Sequence, residues 1–212
     1  MRVLHVIARM NVGGTATYLL NLLRGLEAAG IQTLLAVGSV PDNEREDLRL
    51  EQIKFRRIKG LSRAISPIRD LRARKDLWKL INEYQPDLIH CHTFKAGLLV
   101  RSKKSPIPII HTFHGHLLHG YFSGWKTSLV IAIEKFLAKR THFLVAIGNE
   151  VKEDLLSAGI GSPAQYKVFF PGLPAPHTAG KAELRQKLGL DAAKIYCTFV
   201  GRLTQIKRPD RL

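Results

Sequence analysis

Arg2-Val3-Leu4-His5-Val6-Ile7-Ala8, followed by Arg9-Met10-Asn11-Val12-Gly13-Gly14-Thr15 and a helical stretch to about Ala29, decides the fold class. The first run is apolar on both faces, as a central strand of a parallel sheet must be. Past Thr15, Leu19, Leu22, Leu23 and Leu26 recur at i, i+3, i+4 and i+7, which predicts a helix with one buried face. Gly30 suits the position just beyond a helix end, and Thr33 to Val37 reads as the next strand. Strand, helix and parallel strand form a βαβ unit, and the chain is therefore α/β.

The alternation continues. Pro41 to Glu51 is a polar, acidic loop or short helix, and Ile53 to Ile58 a weak strand. Ser66-Pro67 opens a helix as cap and first helical residue, with Leu77, Leu80, Ile81 and Tyr84 as its buried stripe. Pro86 stops it before a strand over Asp87–Cys91, and Lys95 to Lys104 fits a short helix. Ile107-Pro108-Ile109-Ile110 reads as a buried strand, with a loop from Leu117 to Gly124. Gly124 to Arg140 is expected to be a helix packed through Leu129, Ile133, Phe136 and Leu137, and His142 to Ile147 a strand. Asn149 caps a helix to about Ala158, with Gly159 ending it, and Tyr166 to Phe170 is a further strand.

Length sets the domain count. The 212 residues suffice for one large domain or one domain plus part of another. The Pro-rich Pro171-Gly172-Leu173-Pro174-Ala175-Pro176 reads as a linker. We expect a first domain over residues 1–170, a linker over 171–180, and the start of a truncated second domain over 181–212, with a helix at Lys181–Leu188 and a strand at Ile195–Val200. Cys91 and Cys197 lie in apolar runs and are read as buried, reduced thiols of a cytoplasmic protein. No apolar run is long enough to span a bilayer, and Met1-Arg2 leads straight into a strand rather than a signal peptide.

The charge balance is unusual: 33 basic against 17 acidic residues, net +16. Such a balance favours phosphates of nucleotides, nucleic acids or lipid headgroups. Ten Lys and Arg fall between Lys54 and Lys79, opposed only by Asp70 and Asp76. Only Phe55 and Trp78 interleave there, so a single-stranded nucleic-acid platform is not expected. A solvated face and an anionic membrane surface both remain open for this patch.

Four segments carry candidate chemistry. Gly13-Gly14-Thr15 sits between a strand and a helix, where backbone amides can meet an anion; it is neither a dinucleotide fingerprint nor a P-loop, and a plain tight turn is the alternative. His111-Thr112-Phe113-His114-Gly115-His116 and His90-Cys91-His92-Thr93 follow strands, where open α/β sheets bind ligands. Pairs two residues apart permit a metal site, but no Asp or Glu lies between Asp87 and Glu134, so no metal is expected, and a neutral imidazole contacting sugar or phosphate suits His114 better. Arg202 and Lys207 bracket a strand-to-helix loop and could clamp a diphosphate; terminal surface charges are the alternative.

Taken in order, these pieces resemble the family-4 glycosyltransferases of GT-B architecture across essentially the whole chain. The resemblance is carried by Val3-Leu4-His5-Val6-Ile7 through Gly13-Gly14, Pro86-Asp87-Leu88-Ile89-His90-Cys91-His92, His111 to His116, Val145-Ala146-Ile147, Pro171-Gly172, and Val200-Gly201-Arg202 to Lys207-Arg208-Pro209. It implies two Rossmann-like domains across a cleft, the first mainly for the acceptor and the second for the nucleotide-sugar. It implies retaining, metal-independent transfer from a nucleotide-diphosphate sugar to a hydroxyl of a glycan, lipid or small-molecule acceptor, in cell-envelope glycan or glycolipid synthesis, with no cofactor. Carried over, Gly13, Gly14 and Thr15 lie near the donor phosphates or sugar, His114 is the catalytic sugar contact, His92, Thr93 and His116 line the site, and Arg202 with Lys207 stabilises the leaving diphosphate. The chain departs from the family in ending before the second domain's glutamate pair, and in having Thr15-Ala16-Thr17 where many relatives carry an acidic residue. The expectation is that this polypeptide alone has little transferase activity and works in the cytoplasm, at the inner face of the membrane. The competing classes are a non-catalytic α/β domain binding an anionic acceptor or membrane through Lys54–Lys79, and a metal-dependent hydrolase.

Overall fold

The computed structural model describes residues 1–115, 124–172, 180–201, 203 and 209–211. The chain divides into two compact units, Met1–Leu173 and Pro174–Leu212. The first holds seven strands, β1 (Arg2–Ile7), β2 (Gln32–Val37), β3 (Phe55–Arg57), β4 (Leu88–His92), β5 (Ile109–Phe113), β6 (Phe143–Ala146) and β7 (Tyr166–Val168), in one sheet of order β3-β2-β1-β4-β5-β6-β7. Every neighbouring pair is parallel. The helices of this unit are α1 (Gly14–Ala28), α2 (Pro67–Tyr84), α3 (Phe94–Arg101), α4 (Trp125–Ala138) and α5 (Asn149–Ser157). This is a Rossmann-like α/β domain. Strand order reverses between β1 and β4, and the carboxyl ends of that pair frame the crevice where such sheets take ligands.

Two apolar layers cover the sheet. Ala16, Leu19, Leu20 and Leu23 of α1 pack on Ile7, Leu35 and Val37. On the opposite face, Leu4, Val6, Ile89, Cys91 and Ile109 meet Ala73, Leu77 and Ile81 of α2 and Ala96, Leu99 and Val100 of α3. Phe113, Leu144 and Ala146 continue that second face against Ala138 of α4 and Leu155 of α5. The α1 stripe thus runs through Ala16 and Leu20 as well as Leu19 and Leu23, while Leu22 and Leu26 are only half-buried.

Several expectations are corrected. Helix α4 does not pack through Leu129 and Phe136, which are exposed; its inward residues are Glu134, Leu137 and Ala138. Glu134 is drawn inside by Arg101, whose Nη2 lies 2.9 Å from its carboxylate, and Phe136 outside receives the Arg140 guanidinium over its ring. The cap of α5 is Gly148, with Asn149 as first helical residue. The acidic segment after Pro41 ends in a 3-10 helix, Leu48–Gln52, capped by Asp47.

In the second unit α6 spans Lys181–Lys187 and a 3-10 turn Pro209–Arg211. Ile195–Val200 is not a strand: Ile195 is 95% and Val200 92% exposed, and Cys197 is exposed rather than buried. An extended apolar run becomes a strand only when a neighbour takes its backbone N–H and C=O groups, and no such neighbour exists among the described residues.

Candidate functional site

The site begins where β1 and β4 end. The loop from Ala8 to Gly13 is held from outside: Val12 donates its N–H to Arg45, Asp47 donates its N–H to Met10, and Arg9 pairs with Glu44. Asp47 also binds Arg49, whose guanidinium donates to the Thr17 hydroxyl on α1. Helix α1 therefore starts from a fixed loop. Its cap, Gly13, supplies no side-chain acceptor, and its first turn has no acidic residue. The free amides of a helix amino end attract anions. A Cβ placed on Gly14 would meet nothing within 4 Å, so packing does not demand glycine there.

Strand register collects the imidazoles. His5 and His90 are partners across β1 and β4, and His92 is partnered by Ile7 and Thr112. His5, His90, His92 and Thr112 therefore share the α1 face, because side chains alternate with period two. His92 Nε2 lies 3.1 Å from His5 Nδ1, and His92 Nδ1 lies 3.1 Å from His114 Nε2. His90 Nε2 sits 2.7 Å from the Thr112 hydroxyl. Tyr18, one helical turn after Gly14, sets its ring edge-on to His114 at 4.8 Å. This brings His114 alongside the opening turns of α1.

Burial keeps these rings neutral. Desolvation lowers His5 to about 3 and His114 to about 4, and holds His90 and His92 well below the ordinary imidazole range, their neighbours' mutual repulsion adding to it. The neutral row offers hydrogen bonds rather than charge. Burial likewise raises the Tyr18 phenol, an effect the Thr112 hydroxyl opposes. His5, His90 and His92 carry ligand atoms within 4.8 Å of one another and could hold a metal, but the group contains no carboxylate.

Thr93, directly after β4, has φ +73°. A β-branched residue in that region is strained, and such strain collects at ligand clamps. Its hydroxyl accepts the Ala8 N–H at 3.3 Å, tying the ends of β4 and β1 together.

The opening histidine stretch divides. Strand β5 runs to Phe113 rather than ending at Ile110, so His111 belongs to the sheet and points to the other face. There it lies edge-on to Phe113 beside Arg101, and a Cβ on Gly97 would come within 2.7 Å of its Cε1. Gly13, Gly14, Thr15, His92, Thr93 and His114 all lie around the carboxyl edge of the sheet and the amino end of α1. His116, Arg202 and Lys207 lie outside the described residues.

The Glycosyltransferase Family 4 model matches residues 12–174. The chain belongs to glycosyltransferase family 4. It is 32% identical over 160 residues to a UDP-Gal:alpha-D-GlcNAc-diphosphoundecaprenol alpha-1,3-galactosyltransferase of Escherichia coli, covering 70% of this chain and 40% of that protein. It is 30% identical over 136 residues to a D-inositol 3-phosphate glycosyltransferase of Gordonia bronchialis, covering 59% of this chain and 30% of that one. The chain thus spans less than half of either relative. Among solved structures, a glycosyltransferase from Rickettsia africae superposes with TM-score 0.66 at 18% identity, over 91% of this chain and 50% of that one. Sucrose-phosphate synthase from Thermosynechococcus elongatus gives 0.69 at 15%, over 91% and 53%. These two share the fold.

In this family-4 chain, sequence reasoning missed His5, Tyr18 and Thr112. His5 had a signal, an imidazole inside the otherwise apolar run Val3–Ile7. Tyr18 had none beyond its helical spacing from Gly14.

Proposed function

We propose that this domain forms the acceptor side of a retaining, metal-independent glycosyltransferase that moves a sugar from a nucleotide-diphosphate sugar to an acceptor hydroxyl in cell-envelope glycan or glycolipid synthesis. The observation that carries the reading is the uncapped amino end of α1, open at Gly14, next to a neutral His114 at the carboxyl edge of the sheet. The free amides of the helix end would face the donor's negative charge, and His114 would hydrogen-bond the transferred sugar. As the glycosidic bond breaks, charge grows on the departing diphosphate, and fixed donors aimed at it lower the barrier most. Arg202 and Lys207 are proposed to supply the cations, His92, Thr93 and His116 to line the pocket, and Gly13 and Thr15 to flank the phosphates. The names of the relatives, one using UDP-Gal and a diphosphoundecaprenol acceptor, support this donor and acceptor chemistry.

The test is an NMR titration of the ¹⁵N-labelled 212-residue chain with UDP-galactose. Shifts centred on the Gly14 and Thr15 amides and the His114 ring are expected. Shifts confined to other parts of the sheet would refute the assignment.

A membrane contact is proposed for the first half of α2. Ile65, Ile68 and Leu71 are 81%, 72% and 65% exposed among the exposed Arg63, Arg69, Arg72, Arg74 and Lys75. Apolar residues among cations suit an anionic interface. No helix among the described residues is long and apolar enough to cross a membrane. Co-sedimentation with phosphatidylglycerol vesicles should occur at low salt, about 0.05 M, and fall steeply at about 0.5 M, where the Debye length is about threefold shorter. Equal behaviour with neutral vesicles would remove the idea.

A further inference from the structure

We propose that His92, backed by His5, is a positioning residue: the buried row His5–His92–His114 dictates which ring nitrogen of His114 carries the proton, and hence that His114 meets the sugar as a hydrogen-bond donor. The part concerning the sugar rests on the reading of His114 given above; the part concerning the proton does not.

The geometry leaves few choices. Both links in the row are nitrogen to nitrogen at 3.1 Å, His5 Nδ1 to His92 Nε2 and His92 Nδ1 to His114 Nε2. A neutral imidazole has one N–H and one bare nitrogen. His92 uses both nitrogens, so it must donate in one link and accept in the other, which gives the row a direction. In one direction His5 Nδ1–H donates to His92 Nε2 and His92 Nδ1–H donates to His114 Nε2. The His114 proton then sits on Nδ1, the ring nitrogen without a bond to a described residue. In the other direction every proton moves to the opposite nitrogen. His114 Nε2–H donates to His92, His92 Nε2–H donates to His5, and His114 Nδ1 is left as a bare acceptor.

His5 breaks the tie. Its Nε2 is fully buried and has no partner among the described residues. In the second direction that atom is an N–H with no acceptor; in the first it is a bare nitrogen. Orphaned buried donors are rarer in folded proteins than acceptors short of a donor. The row therefore runs from His5 toward His114, and a residue in the middle of β1 selects the polarity of an atom at the edge of the crevice. Ring packing holds the row in line: His5 and His92 stack at an interplanar angle of 16°, and His90, bonded to Thr112, lies 4.1 Å from His92 by centroids. Tyr18 fixes the outer ring from the α1 side.

The test reads protons, not turnover. Long-range ¹⁵N–¹H spectra of the histidine-labelled 212-residue chain at pH 7 separate protonated from bare ring nitrogens. The expected pattern is a proton on Nδ1 of His5, His92 and His114, with ¹⁵N–¹⁵N couplings across both links. The preference should be about tenfold or more, the scale set by one buried unmatched donor. His5→Asn, whose amide can donate from the Nδ1 position, should preserve the His114 tautomer, and His5→Leu should release it to a mixture. A proton on His114 Nε2 in the wild type, or no coupling across the links, overturns the proposal whether or not His5→Leu folds. An unchanged His114 tautomer in folded His5→Leu does the same. Zinc chloride added alone should leave the row in place; displacement of the His5, His90 and His92 signals at one equivalent would show a metal site instead. If the pattern holds but UDP-galactose leaves His114 unmoved, the sugar contact fails while the row stands.

Discussion

Acidification below pH 6.5 should unfold the first unit steeply, because five imidazoles among its described residues are buried neutral. His5 is lowered to about 3 and His114 to about 4, and His90, His92 and His111 lie well below the ordinary value, desolvation being the leading cause in each. In the unfolded chain all five return to about 6.5. Between the two values the unfolded state binds more protons, so stability rises with pH there. It is fully present above about 6.5 and lost as pH falls toward the folded values. Each ring costs on the order of 1 kcal/mol by pH 5.5 and about 2 kcal/mol by pH 5, relative to pH 7. Five together remove on the order of 5 and then 10 kcal/mol, comparable with the whole stability of an ordinary domain. Urea titrations at pH 7.5, 6.5, 6.0 and 5.5, followed by far-ultraviolet circular dichroism, give the stability slope. Four to five protons should be taken up on unfolding between pH 6 and 5, by the same arithmetic. His90→Gln, which keeps a polar group near Thr112, should lower that number by about one. An uptake of fewer than about two protons would mean that the rings are not desolvated as the fold requires, and the reasoning would fail.

Other substitutions separate packing from binding. Gly14→Ala should leave stability unchanged or raise it by up to about 1 kcal/mol, since the new Cβ meets nothing and alanine favours a helix, while UDP-galactose binding in the NMR titration weakens. Gly38→Ala should destabilise severely in a thermal melt, because its Cβ would fall 2.2 Å from the Leu61 carbonyl oxygen and 2.3 Å from that of Ala8. Arg101→Met should cost about 3–5 kcal/mol in urea denaturation by leaving Glu134 buried and unpaired, and Arg101→Met with Glu134→Leu should recover most of the loss. Cys197, exposed, should react with Ellman's reagent at once, whereas Cys91, buried with its thiol pushed up to about 12, should react only on unfolding.

The sequence alone determined the α/β alternation, the strand beginning at Arg2 and the helix ends at Gly30 and Gly159, and it put forward Gly14, His92 and His114 as candidate site residues. Those features rest on local rules: hydrophobic period, the positive φ of 77° and 73° that the two glycines adopt, and polar residues following apolar strands. Tertiary structure decided what lies between elements. The inward face of α4 could not be read from periodicity, because a buried Glu134 is stable there only through Arg101, thirty-three residues away. His111 and His114 look alike in the sequence, yet the sheet extends to Phe113 and sends His111 to the opposite face. Likewise, the row from His5 through His92 to His114 joins β1, β4 and the residue just past β5, which come together because β4 crosses back beside β1 and β5 pairs with β4. Conversely, Ile195–Val200 has the composition of a strand and is not one, since hydrogen bonds to a neighbouring strand, not composition, complete a β-strand.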